Sequence, residues 1–427
     1  MQKAVLVGVT GGNDPGFEKS MNEMLYLAEA DDMEVVQTFT QGSAAVNPGT
    51  FIGEGKIEEI RAVLERDKEI GTVLFNDALS PQQMKNLIDR LDRNVLDRTG
   101  LILQIFSRRA GTREARAQVE YANLQYMLPR LAGLHKELGR QGGGSGAMSN
   151  KGAGETKIEL DRRKIEHRCT MLRRELETVD RERETQRGRR QRSGIPLVSL
   201  VGYTNAGKST ILNGCLDLYG GDEEKKVFEE NMLFATLDTT VRRICPDGGR
   251  RPFLLSDTVG FISNLPTTLV KAFRSTLEEV KYADILLIVS DVSDPEYRED
   301  LRITVQTLKE IGAGSVPRIY IFNKCDLAGI GPSADVTVTG IGPEDGHITM
   351  SAKNTNDIGR LIDLIEEKIN RGRVLCEMLI PYTDGGTLSK LKASSDIEIL
   401  EYEESGVRIR GHLRREDAER YKKYRTE

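Results

Sequence analysis

The nine residues Gly202, Tyr203, Thr204, Asn205, Ala206, Gly207, Lys208, Ser209 and Thr210 constrain the fold more than any other stretch of this 427-residue chain. They follow an apolar run, 195–201, and lead into Ile211, Leu212 and Asn213, which gives the order strand, glycine-rich turn, helix start. In that context the pattern G-x-x-x-x-G-K-[ST] is a phosphate cradle. Its glycines let backbone N–H groups wrap an anion at a helix N-terminus, where the helix dipole favours negative charge. Lys208 is expected to reach the β- and γ-phosphates of a nucleotide, and Ser209 to place its hydroxyl on Mg²⁺.

Three further landmarks follow in order, each after an apolar run. The strand 251–256 ends at Asp257, Thr258, Val259 and Gly260. A carboxylate there holds Mg²⁺ through a water, and the Gly260 N–H reaches the γ-phosphate. The run 283–290 ends at Asp291, and 317–322 ends at Asn323, Lys324, Cys325 and Asp326. The Asp326 carboxylate is suited to accept hydrogen bonds from N1–H and the exocyclic amine of guanine, neither of which adenine offers. Ser351, Ala352 and Lys353, after the strand 347–350, close over the base. The four together imply a guanine-nucleotide domain over 194–372. Between the first and second landmarks lie Phe234, Ala235, Thr236, Leu237, Asp238, Thr239 and Thr240, expected to sense the γ-phosphate. One of its three threonines should coordinate Mg²⁺, and spacing alone does not choose among them.

The remaining composition narrows the class. With 38% hydrophobic and 30% charged residues this reads as a soluble globular chain long enough for two to four domains. The net charge of −5 gives no global pull toward nucleic acid, so any such contact must be local, and no DNA partner is expected. Five scattered cysteines without a C-x-x-C pair read as reduced thiols, and four scattered histidines offer no metal cluster. The apolar run 4–9 is too short for a signal peptide and reads as a first strand. No run approaches a membrane span. A cytoplasmic monomer, at most peripheral to a membrane, is expected.

Residues 1–111 alternate strand signals (4–9, 35–40, 72–76, 94–96) with helix signals (17–28, 57–66, 82–91), a pattern of parallel sheet with flanking helices. Within them Gly53, Glu54, Gly55 and Lys56 open a helix. This reads as a structural turn, with a second nucleotide site or RNA-backbone contact as the sharper alternative. Over 112–193 two long helices flank a glycine-rich loop, 141–154. Ile158, Ile165, Cys169, Leu172, Leu176 and Val179 form a heptad-like seam, and Ala115, Val119, Ala122 and Tyr126 offer its partner, with Pro129 expected to kink the first helix. That predicts an antiparallel hairpin. Residues 155–192 carry thirteen Lys or Arg against nine Asp or Glu, a local +4, with Arg187, Arg189, Arg190 and Arg192 crowded at the end. A solvated helix face and contact with RNA phosphates both fit that charge. Residues 373–427 read as a small α+β domain in which no chemistry is apparent.

The chain resembles the HflX-type translational GTPases. The resemblance rests on 202–210, 234–238, Asp257 to Phe261 and Asn323 to Asp326. It also rests on stretches outside the nucleotide domain: 51–56, 76–81, 96–103, Gln118-Val119-Glu120, 124–131 and 152–156. It implies an N-terminal parallel α/β domain, a long helical hairpin, a P-loop GTPase domain and a C-terminal α+β domain. It places the Mg²⁺-binding threonine on Thr236. It implies binding of GTP and GDP, and association with the 50S ribosomal subunit and its 23S rRNA, with the glycine loop of the hairpin touching RNA. The expected outcome is ribosome splitting, rescue or subunit assembly. Two departures from the family pattern stand out: Thr239 replaces a proline, and the loop is longer and ends Gly152, Ala153, Gly154, Glu155, Thr156.

One absence bears on mechanism. Where Ras-type enzymes carry a water-positioning glutamine this chain has Phe261, so intrinsic hydrolysis is expected to be slow. By resemblance, Asn205 occupies the position at which potassium-activated GTPases hold K⁺, while its plain reading is a loop residue bonding its own backbone. Two other functions compete: an RNA-remodelling protein that uses ATP at Gly53 to Lys56, and a GTP-switch adaptor without significant turnover.

Overall fold

The computed structural model describes residues 1–11, 16–43, 45–140, 151–220, 240–247, 250–258, 260–261, 279–331, 345–394 and 397–426. The chain divides into two compact units, one built on 1–178 and the other on 179–229, 239–261 and 275–427.

The first unit opens with β1 (Gln2–Thr10), α1 (Phe17–Ala30), β2 (Met33–Gly42), α2 (Glu54–Arg66), β3 (Ile70–Phe75), α3 (Pro81–Leu91), β4 (Asn94–Asp97) and α4 (Arg98–Arg109). The strands form one parallel sheet in the order β2-β1-β3-β4. Burial on both faces follows from the crossover helices, and it explains why β1 is a continuous apolar run. Val5, Val7, Val73, Phe75 and Val95 pack beneath Ile57, Ile60 and Leu64 of α2 and Met84, Leu87 and Leu91 of α3. Start signals are conventional in α3, where Ser80 and Gln83 form a capping box ahead of Pro81.

Helix α5 (Arg113–Arg140) leaves this sheet and α6 (Lys151–Ser193) returns. Their pairing is antiparallel: Arg113 meets Glu175 at 2.7 Å and Glu120 meets Arg168 at 2.6 Å. Ala115, Val119, Ala122, Cys169 and Leu172 are buried, as the seam predicts. The helix runs through Pro129 to Arg140. Residues 151–154, expected in the glycine loop, are the first turn of α6, since extending an existing helix is far cheaper than starting one. The rest of that loop, 141–150, lies outside the described residues. The root of α5 is fixed by Asp97, which is 1% exposed. One of its oxygens accepts from Gly100 N and Tyr126 Oη, and the other from Leu79 N and Arg130.

The second unit carries a six-stranded sheet in the order β10-β9-β8-β5-β7-β6. Its strands are β5 (Leu197–Gly202), β6 (Thr240–Ile244), β7 (Phe253–Asp257), β8 (Ile285–Asp291), β9 (Arg318–Asn323) and β10 (Gly346–Thr349). All neighbours are parallel except β6, which runs against β7. Helices α7 (Lys208–Tyr219), α8 (Tyr297–Glu310), the short α9 (Cys325–Ala328) and α10 (Thr355–Asn370) flank it. Val198, Leu200, Leu287, Val289, Ile319 and Ile321 pack against Ile211, Leu212 and Cys215 of α7 and Ile358, Leu361 and Ile365 of α10. Thr240 is the first residue of β6 rather than part of a switch loop.

The chain ends in a three-stranded antiparallel sheet ordered β11-β13-β12, of β11 (Arg373–Ile380), β12 (Ile397–Glu403) and β13 (Gly406–Arg414). It packs beside α11 (Gly385–Ser394) and α12 (Arg415–Arg420) over a core of Cys376, Met378, Ile380, Leu391 and Ile409. The chain's last helical segment comes in two pieces, α12 and a 3-10 turn at Lys422–Tyr424. Among the described residues no helix is long and apolar enough to cross a membrane.

Candidate nucleotide-binding site

The functional loops follow the C-terminal ends of β5, β7, β9 and β10, where an open parallel sheet presents ligands at the reversal of its strand order. The β5 loop can be built only from this sequence pattern. Gly202 sits at φ +150°, and a Cβ there would stand 2.2 Å from the Val289 carbonyl oxygen of β8. Gly207 sits at φ +95°, and its Cβ would collide with Asn323 Nδ2 at 2.2 Å. Both positions therefore exclude side chains: the loop closes onto the β8 backbone at Gly202 and onto the Asn323 side chain at Gly207. Asn205, at the loop's crest, is exposed with φ +60°. Tyr203, Thr204 and Ala206 are buried, and Ser209 and Thr210 lie in the first turn of α7.

Lys208 is buried, and its ammonium donates to the carbonyls of Tyr203 (2.7 Å) and Gly202 (3.2 Å), folding back over its own loop. Burial lowers its pKa to about 8, an effect that the nearby Asp257 carboxylate opposes. Ser209 Oγ donates to Asp257 Oδ2 at 2.7 Å. A hydroxyl and a carboxylate in that contact at the foot of an anion cradle make a hard-oxygen pair of the kind Mg²⁺ selects. The Thr258 hydroxyl bonds the Leu200 carbonyl at 2.7 Å, tying β7's end to β5. Gly260 stands against the loop: a Cβ there would be 2.8 Å from Thr204 Cα and 2.9 Å from Lys208 Nζ.

Phe261 is more than an absent glutamine. Its N–H donates to Gly202 O (3.0 Å) and its carbonyl accepts from Thr204 N (2.8 Å), a parallel bridge between the loop after β7 and the loop after β5. Its ring is 3% exposed. The side chain at the water-positioning place thus points into the protein interior.

Asn323 joins the remaining loops. Buried to 1% exposure, it donates from Nδ2 to Ala206 O (2.8 Å) and accepts at Oδ1 from Ala352 N (2.9 Å). One side chain therefore holds the phosphate cradle and the Ser351, Ala352, Lys353 loop in a single frame. Lys324 adopts φ +63°, turning the chain so that Cys325 is buried and Asp326 is exposed on α9. Lys353 is also exposed. Ser351 N donates to Asp357 Oδ2 at 3.0 Å, and the other carboxylate oxygen meets Arg360 at 3.0 Å. Asp357 escapes motif reading, although its place three residues after the Asn354 cap is a helix-start signature.

Phe234, Ala235, Thr236, Leu237 and Asp238, together with Val259, lie outside the described residues. In the first unit the Gly53 N–H is taken by the Gln41 side chain at 2.9 Å, and Lys56 pairs with Glu59 at 2.5 Å. Its amine and first amide are thus both engaged within the unit.

Comparison with known proteins decides the family. Three family descriptions match consecutive segments: "GTP-binding GTPase N-terminal" over 18–107, "GTP-binding GTPase Middle Region" over 109–190 and "50S ribosome-binding GTPase" over 197–324. The GTPase HflX of Caldanaerobacter subterraneus is 40% identical over 423 residues, covering 99% of this chain and 94% of that one. The chain belongs to the HflX family of GTPases. The HflX of Alkalihalophilus pseudofirmus is likewise 40% identical, over 96% of this chain and 94% of its own. Among solved structures, a GTP-binding protein from Sulfolobus solfataricus in complex with GDP is similar at 25% identity and a TM-score of 0.44, covering 87% of this chain and 98% of that one. Membership in the HflX family makes this chain a GTP-binding enzyme that hydrolyses GTP, in agreement with the guanine-nucleotide domain expected from its four loops.

Proposed function

We propose that this chain is a ribosome-associated GTPase whose turnover is low in isolation and rises on the large subunit. The reading is supported by the match of 197–324 to a family described as 50S ribosome-binding, and above all by the buried ring of Phe261. With Phe261 turned into the interior, the water-positioning function is received from a partner or an ion.

The residues divide the work as follows. Backbone amides of 202–210 cradle the phosphates, and Lys208 exchanges its loop carbonyls for β- and γ-phosphate oxygens. Ser209 and Asp257, with Thr236 of the switch, hold Mg²⁺, which supplies charge neutralisation at the transferred phosphoryl group. The Gly260 N–H meets the γ-phosphate. Asp326 reads the guanine edge, beside Lys324 and Cys325, while Ser351, Ala352 and Lys353 close over the ring. Asn205, exposed at the loop's crest, would hold a K⁺, which would supply positive charge against the phosphates.

The hairpin α5–α6 is the arm for 23S rRNA, on the strength of its local positive charge. A GTP-gated grip on the 50S particle serves ribosome splitting, rescue of stalled ribosomes or subunit assembly. Co-sedimentation tests the reading: the protein should pellet with 50S subunits in a non-hydrolysable GTP analogue and be released in GDP. Equal binding in both nucleotides would contradict it.

A further inference from the structure

The base-recognition loop contains an ion pair that no nucleotide motif includes. Lys324 Nζ lies 2.6 Å from Asp291 Oδ2, and both side chains are 23% exposed. Asp291 ends β8, and its register partner across the sheet is Asn323 at the end of β9. The next residue tightens the junction, since Val292 N donates to Asn323 O at 3.0 Å. The carboxylate is not free to swing. Its Oδ1 accepts from the Ser293 N–H at 3.0 Å and from the Ser293 hydroxyl at 2.5 Å, so its Oδ2 is presented to Lys324 in a fixed direction.

We propose that Asp291 is a positioning residue for the guanine base, acting through Lys324. The proposal deepens the reading of Asp326 as the guanine-recognising carboxylate and rests on it. Lys324 stands between Asn323, which reaches the phosphate cradle, and Asp326, exposed on α9. Its backbone is held in the left-handed region at φ +63°, so where the stem departs is fixed by the turn. Where the stem ends is fixed by Asp291. A lysine anchored at both ends presents four methylenes as a wall of constant position. A free lysine spreads over many rotamers, and ordering it opposes any ligand that stacks on it. Asp291 thus orders one face of the base slot before nucleotide arrives, which slows the nucleotide's departure rather than changing which base is chosen. A partly exposed ion pair contributes little to folding, so its worth lies in this pre-ordering.

A double-mutant cycle on the full-length protein tests this, with dissociation of GDP followed by a fluorescent analogue. Asp291→Asn keeps the side-chain volume and an oxygen for the Ser293 contacts while removing the charge. It should raise the GDP dissociation rate roughly tenfold with little change in the association rate. Lys324→Met keeps an apolar stem without the ammonium, and the double variant should be no worse than Lys324→Met alone. Additive losses would mean that the two residues act separately and would overturn the proposal. A second arm separates its failure from that of the underlying reading. Xanthine carries a carbonyl where guanine carries its exocyclic amine, so Asp326→Asn should shift preference to xanthosine diphosphate. Adding Asp291→Asn should then weaken that ligand by the same factor, because a wall contacts the ring and not its edge. If Asp326→Asn does not shift the preference, the base-site reading falls and the proposal with it. If the shift occurs and Asp291→Asn binds like its parent, the proposal alone falls.

Discussion

At the residue scale the candidate site is a set of buried charges and contacts. Lys208 illustrates the cost. Its pKa falls from 10.5 to about 8 on folding, so the unfolded chain binds more protons between those values and stability rises with pH across that window. Below pH 8 the burial penalty is fully present, on the order of 3 kcal/mol. Nucleotide-free protein is therefore expected to gain stability relative to Lys208→Met as pH rises from 8 to 10.5, and the gain should vanish with bound GDP and Mg²⁺. Parallel melting curves for the two proteins across that range would contradict this origin. Phe261 gives a second test. Because its ring is buried, Phe261→Gln places an amide in the interior and should lower stability by about 2–3 kcal/mol. Intrinsic hydrolysis should stay within about twofold of the parent rate, since the new amide does not face the γ-phosphate. A tenfold acceleration would show that the side chain reaches water after all.

At the scale of elements, the loops after β5, β9 and β10 are one object held by Asn323. Asn323→Ala leaves the Ala206 carbonyl and the Ala352 N–H without this partner, a cost of roughly 2–4 kcal/mol. GDP affinity measured by calorimetry should fall about a hundredfold, and a change under twofold would contradict the framing role. What the sequence made legible follows the same division. The phosphate loop, Asp257 to Gly260, Asn323 to Asp326 and Ser351 to Lys353 are readable because each needs particular residue types after a buried strand. The parallel sheet of the first unit is readable because its strands are short apolar runs between amphipathic helices. Helix α4 is harder, since nearly every position from Arg98 to Phe106 is buried and periodicity has nothing to alternate against. The Phe261 bridge, the Asp291–Lys324 pair and the Asp357–Ser351 contact join residues distant in sequence or act through backbone atoms. Apart from the helix-start spacing of Asp357 after Asn354, they leave no local pattern.

At the scale of the whole molecule, a GTPase domain with an interior phenylalanine at the water-positioning place accompanies a long, locally basic hairpin rooted by Asp97. One component holds GTP and turns the side chain at the water-positioning place inward. The other offers a cationic arm to a polyanion. On the proposed function, an RNA particle gripped by the hairpin also completes the catalytic site, so that GTP is spent only on the target. Steady-state phosphate release with and without purified 50S subunits, in potassium and Mg²⁺ buffer, tests that link most directly. The account predicts a rate that rises at least tenfold with 50S and saturates with its concentration. A rate equally fast without 50S subunits, or unchanged by them at any concentration, would contradict it.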